Sequence, residues 1–187
     1  MPTVDELVNR YVRAAGGEAA INAVTSRVVK GTIDVVGISR GGTFETYTVA
    51  PDKALSVMKH GPAETIKDRY NFYAILNLKN SYAKMTLRGK SKIGYREVYV
   101  MDLQPARGAA DRMFMDAETY LPVRLNTSRV EGGVSVPVEI YFDDWREANG
   151  LKAPYTLTVS SGKRTMTLTV KEIQYNIPVD AKIFEKP

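Results

Sequence analysis

Apolar residues at the start of the chain recur at three- and four-residue steps, as they do on one face of an α-helix. They run through residues 4–15, and Thr3 with Glu6 has the spacing of a capping box. The Gly16-Gly17 pair ends this helix, because glycine readily adopts the left-handed backbone of a helix C-cap. Residues 18–24 can form a second short helix. The sequence therefore begins with two short helices, the first of them amphipathic.

From residue 27 onward the period of the pattern changes to two, which is typical of a sheet with one apolar and one polar face. Turn residues separate most of the alternating segments, which cover residues 27–35, 43–49, 54–59, 63–67, 84–90, 97–103, 110–116, 121–129, 134–142, 153–160 and 164–174. Within residues 70–82, Phe72, Ile75, Leu76 and Tyr82 are spaced as in a helix. The pattern predicts a mainly β (α+β) fold with about eleven antiparallel strands, at the spacing of a sandwich or barrel.

One face of these strands is apolar and rich in methionine, with Met85, Met113, Met115 and Met166 at alternating positions. Methionine is unbranched and polarizable, so such a face can adapt to an irregular apolar guest. The same side chains can instead pack against the helices as an ordinary core. Periodicity alone favours the core.

The composition fits one domain with a substantial core. The chain has 187 residues, of which 44% are hydrophobic, and a domain of this size buries roughly 70% of the surface that its unfolded chain exposes. No composition shift, repeat or low-complexity stretch divides it. We therefore expect residues 1–187 to form a single domain.

The net charge of +5 arises from 26 basic and 21 acidic residues that are scattered along the chain. This allows weak attraction to anionic lipid without requiring it. No apolar run approaches the roughly 20 residues of a membrane span, and residues 1–3 lead into the first helix without the apolar core of a signal peptide. We expect a soluble chain, from which any export signal has been removed or in which it was never present.

Groups that could carry catalysis or bind a metal are few. The chain has no cysteine and one histidine, His60, so thiol, His-Cys and two-histidine sites are excluded. Carboxylate pairs occur at Asp143-Asp144, at a predicted strand end, and at Asp116 with Glu118, in a predicted tight turn. We expect a protein that is not an enzyme and needs no cofactor or metal. A hydrolase or lyase using Asp143 or Glu118 is the lesser alternative, and it would need two titratable groups converging in a pocket.

A basic and aromatic stretch begins within the predicted mid-chain helix and contains Lys79, Tyr82, Lys84, Arg88, Lys90, Lys92 and Tyr95. An oligonucleotide-binding barrel would need such a platform. Acidic residues elsewhere dilute any broad positive field, so a solvated strand face is favoured and no nucleic-acid partner is expected.

Several segments, taken in order, resemble the LolA/LolB-like outer-membrane lipoprotein-sorting domains. They are residues 11–19 with the strand that follows, residues 114–124, residues 141–146 and 150–155, and residues 170–180 and 184–187. In the second segment, Phe114 to Arg124 is similar to the family's hairpin around an Asp-x-x-Thr-Gly-Leu-Pro turn, with Tyr120 where glycine is usual. The matches cover nearly the whole chain and mostly record turns and strand ends.

The resemblance implies an eleven-stranded antiparallel half-barrel whose helices cover the concave face and enclose an apolar cavity. It implies binding or carriage of lipoprotein acyl chains or another lipid, a periplasmic location and, in some settings, a membrane-associated protein partner. Arg27, Arg40 and Arg69 are each conceivable as the arginine that tethers the lid in this family. The side chains expected to line the cavity are Leu55, Val57, Phe72, Leu76, Met85, Leu87, Met113, Met115, Ile140, Phe142, Leu157, Met166 and Leu168. The alternative function is a non-enzymatic sensor or protein-interaction module appended to a larger exported protein.

Overall fold

A computed structural model describes residues 1–38, 41–60, 64–68, 78–162 and 164–185. The N-terminal helix, α1, spans Val4–Ala14, and its predicted capping box is confirmed, because Thr3 and Glu6 exchange hydrogen bonds between side chain and backbone. The second predicted helix is also confirmed as α2, Glu18–Asn22. Of the predicted mid-chain helix, the described part contains α3, Leu78–Ser81. A short 3-10 helix at Ala181–Phe184 lies near the C-terminus.

The rest of the fold is one antiparallel sheet, as the alternating pattern predicts. Its strands are β1 Ser26–Val35, β2 Gly42–Val49, β3 Lys53–His60, β4 Glu64–Asp68, β5 Lys84–Ile93, β6 Arg96–Gln104, β7 Asp111–Asp116, β8 Pro122–Glu131, β9 Val134–Ala148, β10 Leu151–Ser161 and β11 Arg164–Tyr175. Ten strands have six or more residues and the edge strand β4 has five. The mainly β half-barrel class is confirmed.

The order of strands in the sheet is β4-β3-β2-β1-β11-β10-β9-β8-β7-β6-β5. The first and last strands therefore pair within the sheet, with Ile33 opposite Leu168. Strands β4 and β5 are consecutive along the chain yet form the two outer edges. The sheet is open, and the connection between these strands leads from one edge to the other.

Because neighbouring strands run in opposite directions, their connections alternate between the two ends of the sheet. We call one end the hairpin end, since it holds the β1–β2, β3–β4, β6–β7, β8–β9 and β10–β11 connections. The opposite end holds the β2–β3, β5–β6, β7–β8 and β9–β10 turns. We call it the helix end, because α1 contacts the turns at Tyr120 and Gly150.

The two faces of the sheet differ in what covers them. On the inner face, Leu7, Val8 and Tyr11 of α1 join one buried cluster with apolar residues from nine of the strands. On the outer face, Val98, Phe114 and Val123 form a separate small cluster. The main core therefore lies between α1 and the inner face.

Strand β9 is longer than its sequence pattern predicts. It continues past residue 142 to Ala148, so Asp143 and Asp144 lie within a strand and the expectation of a strand end is wrong. Asp144 has a positive φ of 53°, and the pairing with β10 passes from Asp143 to Trp145 without it. Phe142 and Trp145 both contact the main cluster although they are three residues apart. The alternation is therefore interrupted at Asp144, and a periodicity argument misses the second half of the strand.

Candidate apolar binding site

The inner face brings together nine of the thirteen side chains that the sequence suggests for an apolar site. Six of them are buried in the main cluster: Met113, Met115, Ile140, Phe142, Leu157 and Leu168. Three more pack against this cluster and are partly buried: Met85, Leu87 and Met166. Neighbouring strands place them side by side, for example Leu87 opposite Met101 and Met101 opposite Met113.

Two of the suggested residues lie on the other face, and that part of the prediction is wrong. Strand β3 pairs with β2 so that Met58 lies opposite Phe44, and both belong to the main cluster. Side chains alternate along a strand, so Leu55 and Val57 point to the outer face. The remaining two suggested residues, Phe72 and Leu76, lie outside the described residues.

The error at β3 has a physical cause. The 3-10 helix near the C-terminus packs against the outer side of this strand, where the Lys53 ammonium lies 5.9 Å from the centre of the Phe184 ring. Leu55 is buried on that side, so β3 has apolar residues on both faces. Alternation then no longer tells inside from outside, and Phe44 with Met58 would have been found only from the pairing register.

Helix α1 lies over the inner face as a separate covering element. Its buried side chains Leu7, Val8 and Tyr11 recur at one- and three-residue steps on a single stripe of the helix. Burial raises the pKa of the Tyr11 hydroxyl far above its ordinary value, with the positive charge of Arg27 acting in the opposite direction. This phenol is therefore neutral at physiological pH.

A stack of aromatic and cationic groups joins the exposed side of α1 to the sheet. Arg10 donates a hydrogen bond to the Tyr120 hydroxyl, and its guanidinium carbon lies 5.0 Å from the centre of the ring. The Tyr120 ring stacks on Tyr99, with centroids 6.4 Å apart, and the Lys90 ammonium lies 5.4 Å from the Tyr99 ring. Tyr120 has a φ of 59°, a backbone conformation that favours glycine. Its side chain thus takes on a contact with α1 that glycine could not make.

The C-terminal end of α1 is held by backbone contacts. The amide of Lys152 donates a hydrogen bond of 2.9 Å to the carbonyl of Ala15. Gly16 has a φ of 125°, and a Cβ added there would lie 2.3 Å from the carbonyl oxygen of Gly150. A glycine is therefore required where the helix meets the β9–β10 turn.

Of the three arginines considered as a lid tether, Arg27 lies in the described part of the chain and the other two do not. Its side chain is buried, and its guanidinium carbon lies 5.4 Å from the centre of the Tyr175 ring. Burial raises the pKa of Tyr175, and the charge of Arg27 opposes that shift. Arg27 also borders a small pocket of about 10 Å³, which has room for about one water molecule. The pocket is lined by Ala15, Ile21, Val24, Arg27, Leu151 and Lys152.

Burial of the inner face is uneven at both ends. Side chains such as Met115 and Phe142 are fully buried. Toward the hairpin end, Val35, Met85 and Met166 are only partly buried, as are Tyr82 and Leu87, but Leu103 and Val159 beside them are buried. Partly buried residues also occur at the helix end, among them Trp145, Tyr155 and Ile173.

Two of the four carboxylates considered for catalysis, Asp116 and Asp144, hold local structure. Asp116 accepts hydrogen bonds from the amides of Glu118 and Thr119, at 2.9 and 2.8 Å, which shapes the β7–β8 turn. Asp144 is paired with Arg146 at 2.6 Å. Among the described residues, no group of three or more histidines, cysteines, aspartates or glutamates is placed to hold a metal ion.

The basic stretch on β5 also has partners of opposite charge. Arg88 is paired with Asp102 and Lys90 with Glu97, at 2.5 and 3.2 Å. Arg88, Lys90 and Glu97 are exposed and Asp102 is partly buried, in keeping with the solvated strand face that the sequence favours for β5. No described helix has the length and apolar character needed to cross a membrane.

The chain has a LolA-like fold, and comparison with solved structures gives three neighbours over nearly its full length. A LolA superfamily protein from Nitrosomonas europaea aligns with a TM-score of 0.65 at 10% identity, covering 100% of this chain and 99% of the other. A DUF1329 family protein from Desulfovibrio piger aligns with a TM-score of 0.63 at 13% identity, covering 99% and 98%.

The third neighbour is a putative outer membrane lipoprotein-sorting protein domain from Vibrio parahaemolyticus, with a TM-score of 0.56 at 9% identity and coverage of 96% and 94%. No family model and no curated protein matches the sequence. The likeness is therefore one of fold.

Proposed function

We propose that this chain is a non-enzymatic binding protein that takes up the acyl chains of a lipoprotein or another lipid between the inner face and its helices. We further propose that residues 1–187 act as one domain and that the protein works in the periplasm. The LolA-like fold supports this reading. The observation that carries the proposal is that α1 covers the apolar inner face as a separate helix, packed on it mainly through side chains.

The burial free energy of the α1 side chains is smaller than the free energy that an acyl chain gains by burial on the same face. Its three buried side chains contribute about 1.5–3 kcal/mol each. An acyl chain of about sixteen carbons gains about 0.8 kcal/mol for each methylene removed from water, or about 12 kcal/mol in all. Replacement of α1 by an acyl chain on the inner face is therefore energetically feasible.

The attachment of α1 at the helix end suggests where the chain enters. There, Arg10 contacts Tyr120, and the carbonyl of Ala15 accepts a hydrogen bond from the amide of Lys152. At the hairpin end, Val35, Met85 and Met166 are partly buried. In the proposal, the acyl tail enters from the hairpin end and advances toward the helix end as α1 moves aside. A polar headgroup would remain outside, in water.

The single tryptophan allows a direct test. Trp145 packs against the main cluster near the helix end, and its indole nitrogen donates a hydrogen bond of 3.1 Å to the carbonyl of Pro122. Bromine quenches tryptophan fluorescence only at short range. A fatty acid brominated near its methyl end should quench Trp145 more strongly than one brominated near its carboxylate.

Native mass spectrometry of the protein after incubation with phospholipid should show a one-to-one complex. No complex and no quenching by either fatty acid would contradict the proposal. Equal quenching by both fatty acids would agree with lipid binding but contradict the proposed direction of entry.

A second candidate is a sensor or protein-interaction module with a filled interior. The observation that favours it is the close packing under α1, where Leu7, Met113 and Leu157 have no exposed surface. The same mass spectrometry separates the two functions, because a filled interior that does not open takes up no lipid.

A further inference from the structure

The hairpin end of the sheet exposes apolar side chains that the main cluster does not use. Val36 and Ile38, in the β1–β2 connection, are 78% and 56% exposed. Val130 and Val134, on either side of the β8–β9 turn, are 75% and 65% exposed. Large aliphatic side chains at hairpin tips are costly in water unless something covers them.

The register places these two tips near each other at the hairpin end of the sheet. Val35 pairs with Met166 near the β10–β11 turn, and Ser161 beside that turn pairs with Val138 of β9. Strands β1 and β9 are therefore three strand spacings apart, or about 14 Å. A single broad surface can therefore contact both tips at once.

Charge also differs between the two ends. Apart from the Arg112–Asp102 pair, the described side chains of the hairpin end include the basic Lys59, Lys84, Arg107, Arg129 and Arg164 and the acidic Asp34 and Asp111. The turns of the helix end instead mix Asp52, Glu97, Asp116, Glu118 and Glu147 with Lys53, Lys92, Arg96 and Lys152. Among the described side chains, the apolar tips thus lie at the end with the larger excess of basic groups.

We propose that the hairpin end is a docking surface for an anionic lipid bilayer. The four aliphatic side chains enter the interfacial region, and the surrounding lysines and arginines contact lipid phosphates. Charge complementarity favours an anionic bilayer as the occupant. Docking goes beyond lipid uptake, and it would place the entry for the acyl chain that the proposed function assumes against the membrane.

Flotation with vesicles tests the docking surface. The wild-type protein should float with vesicles of phosphatidylcholine and phosphatidylglycerol, and much less with phosphatidylcholine alone. The variant V36S/I38S/V130S/V134S should lose partitioning by about tenfold or more. Tyr95→Ser is the matched control, because Tyr95 is a fully exposed aromatic residue in the β5–β6 turn at the opposite end; it should float as the wild type does.

A charge variant, R107E/R164E, should abolish the preference for anionic vesicles, while the matched K92E/R96E at the helix end should retain it. Thermal unfolding should be unchanged for all four variants, since the substituted side chains are exposed. Failure of the wild-type protein to float with either vesicle, or an equal loss for Tyr95→Ser, would overturn the proposal.

Sedimentation velocity without lipid tests the alternative that a second copy of this chain covers the tips. If the four-serine variant turned a dimer into a monomer and left flotation unchanged, the tips would be an interface between two copies and the proposal would be wrong. Lipid uptake measured on the same variants should be retained. Loss of docking with retained uptake, or the reverse, therefore distinguishes this inference from the proposed function.

Discussion

Arg10 of helix α1 donates a hydrogen bond to the hydroxyl of Tyr120 in the β7–β8 turn, and its guanidinium group also lies over the Tyr120 ring. This pair is 110 residues apart in sequence. It joins the exposed side of the covering helix to a turn whose backbone conformation favours glycine. The contact is therefore a latch between helix and sheet.

Tyr120→Phe should weaken this latch, because it removes the hydroxyl acceptor and keeps the ring. We expect amides of α1 to exchange hydrogen about two- to fivefold faster, corresponding to about 0.5–1 kcal/mol of local stability. Hydrogen exchange with mass spectrometry measures this directly. Tyr95→Phe removes a hydroxyl from a fully exposed ring and is the control. Equal acceleration across the sheet strands would show that Tyr120 stabilises the whole fold and does not act as a latch.

Leu7→Ala should separate stability from ligand binding. Truncating this buried side chain of α1 should lower the free energy of unfolding by about 2–3 kcal/mol. It should also raise the affinity for lipid, because less apolar contact is lost when α1 moves aside. Urea denaturation and lipid titration give the two quantities.

Val98→Ala is the matched control for Leu7→Ala, since Val98 is fully buried in the outer cluster. It should reduce stability without raising lipid affinity. A fall in lipid affinity for Leu7→Ala would mean that α1 must stay in place for the ligand to bind.

Gly31→Ala should be strongly destabilising. A Cβ at this position would lie 2.1 Å from the carbonyl oxygen of Thr169 and 2.6 Å from a ring carbon of Phe44. The register of β1 with β11 also shifts at Gly31, so the backbone has little freedom to move. We expect a loss of about 2 kcal/mol or more in urea denaturation.

Gly41→Ala offers the comparison, because its nearest neighbour would be the Asp34 carboxylate at 3.2 Å, the end of an exposed side chain that can shift. It should cost less than about 1 kcal/mol. Similar losses of stability at both positions would show that the close approach to Thr169 does not constrain the pairing of β1 with β11.

Asp102 should make stability depend on acid pH. The hydrogen bond from Arg112 is the main cause that lowers the pKa of this carboxyl below its ordinary 3.8; burial opposes the shift and the hydrogen bond from Arg88 adds to it. A lowered pKa in the folded state stabilises the protein above about pH 3.8 and ceases to do so as pH falls through the lowered value.

Asp102→Asn should therefore cost about 0.5–1 kcal/mol at neutral pH, and the difference from wild type should shrink below pH 3.8. Urea denaturation at a series of pH values checks this. Asp144→Asn is the control, because its carboxyl is more exposed than that of Asp102, at 42% against 16%; it should show a smaller effect. A pH-independent difference for Asp102→Asn would contradict the assignment.

The sequence by itself determined the strand-rich architecture and nearly all of its element positions. Alternation and turn residues act within a few neighbours along the chain, so they predict β1, β10 or the capping box of α1 without knowledge of the rest. The family resemblance added the half-barrel class, and the fold agrees with it. Tyr120, noted as a departure from glycine, has the positive φ that such a position implies.

Only the tertiary structure decided which face of each strand is inner and which residues meet across the sheet. Leu55 and Met58 are both apolar and buried, and their opposite orientation depends on pairing with β2 and on the 3-10 helix from the far end of the chain. Strand order likewise decides the latch between Arg10 and Tyr120. It also decides that the β1–β2 and β8–β9 tips lie near each other at the hairpin end. Such relationships join residues distant in sequence, and local periodicity carries no information about them.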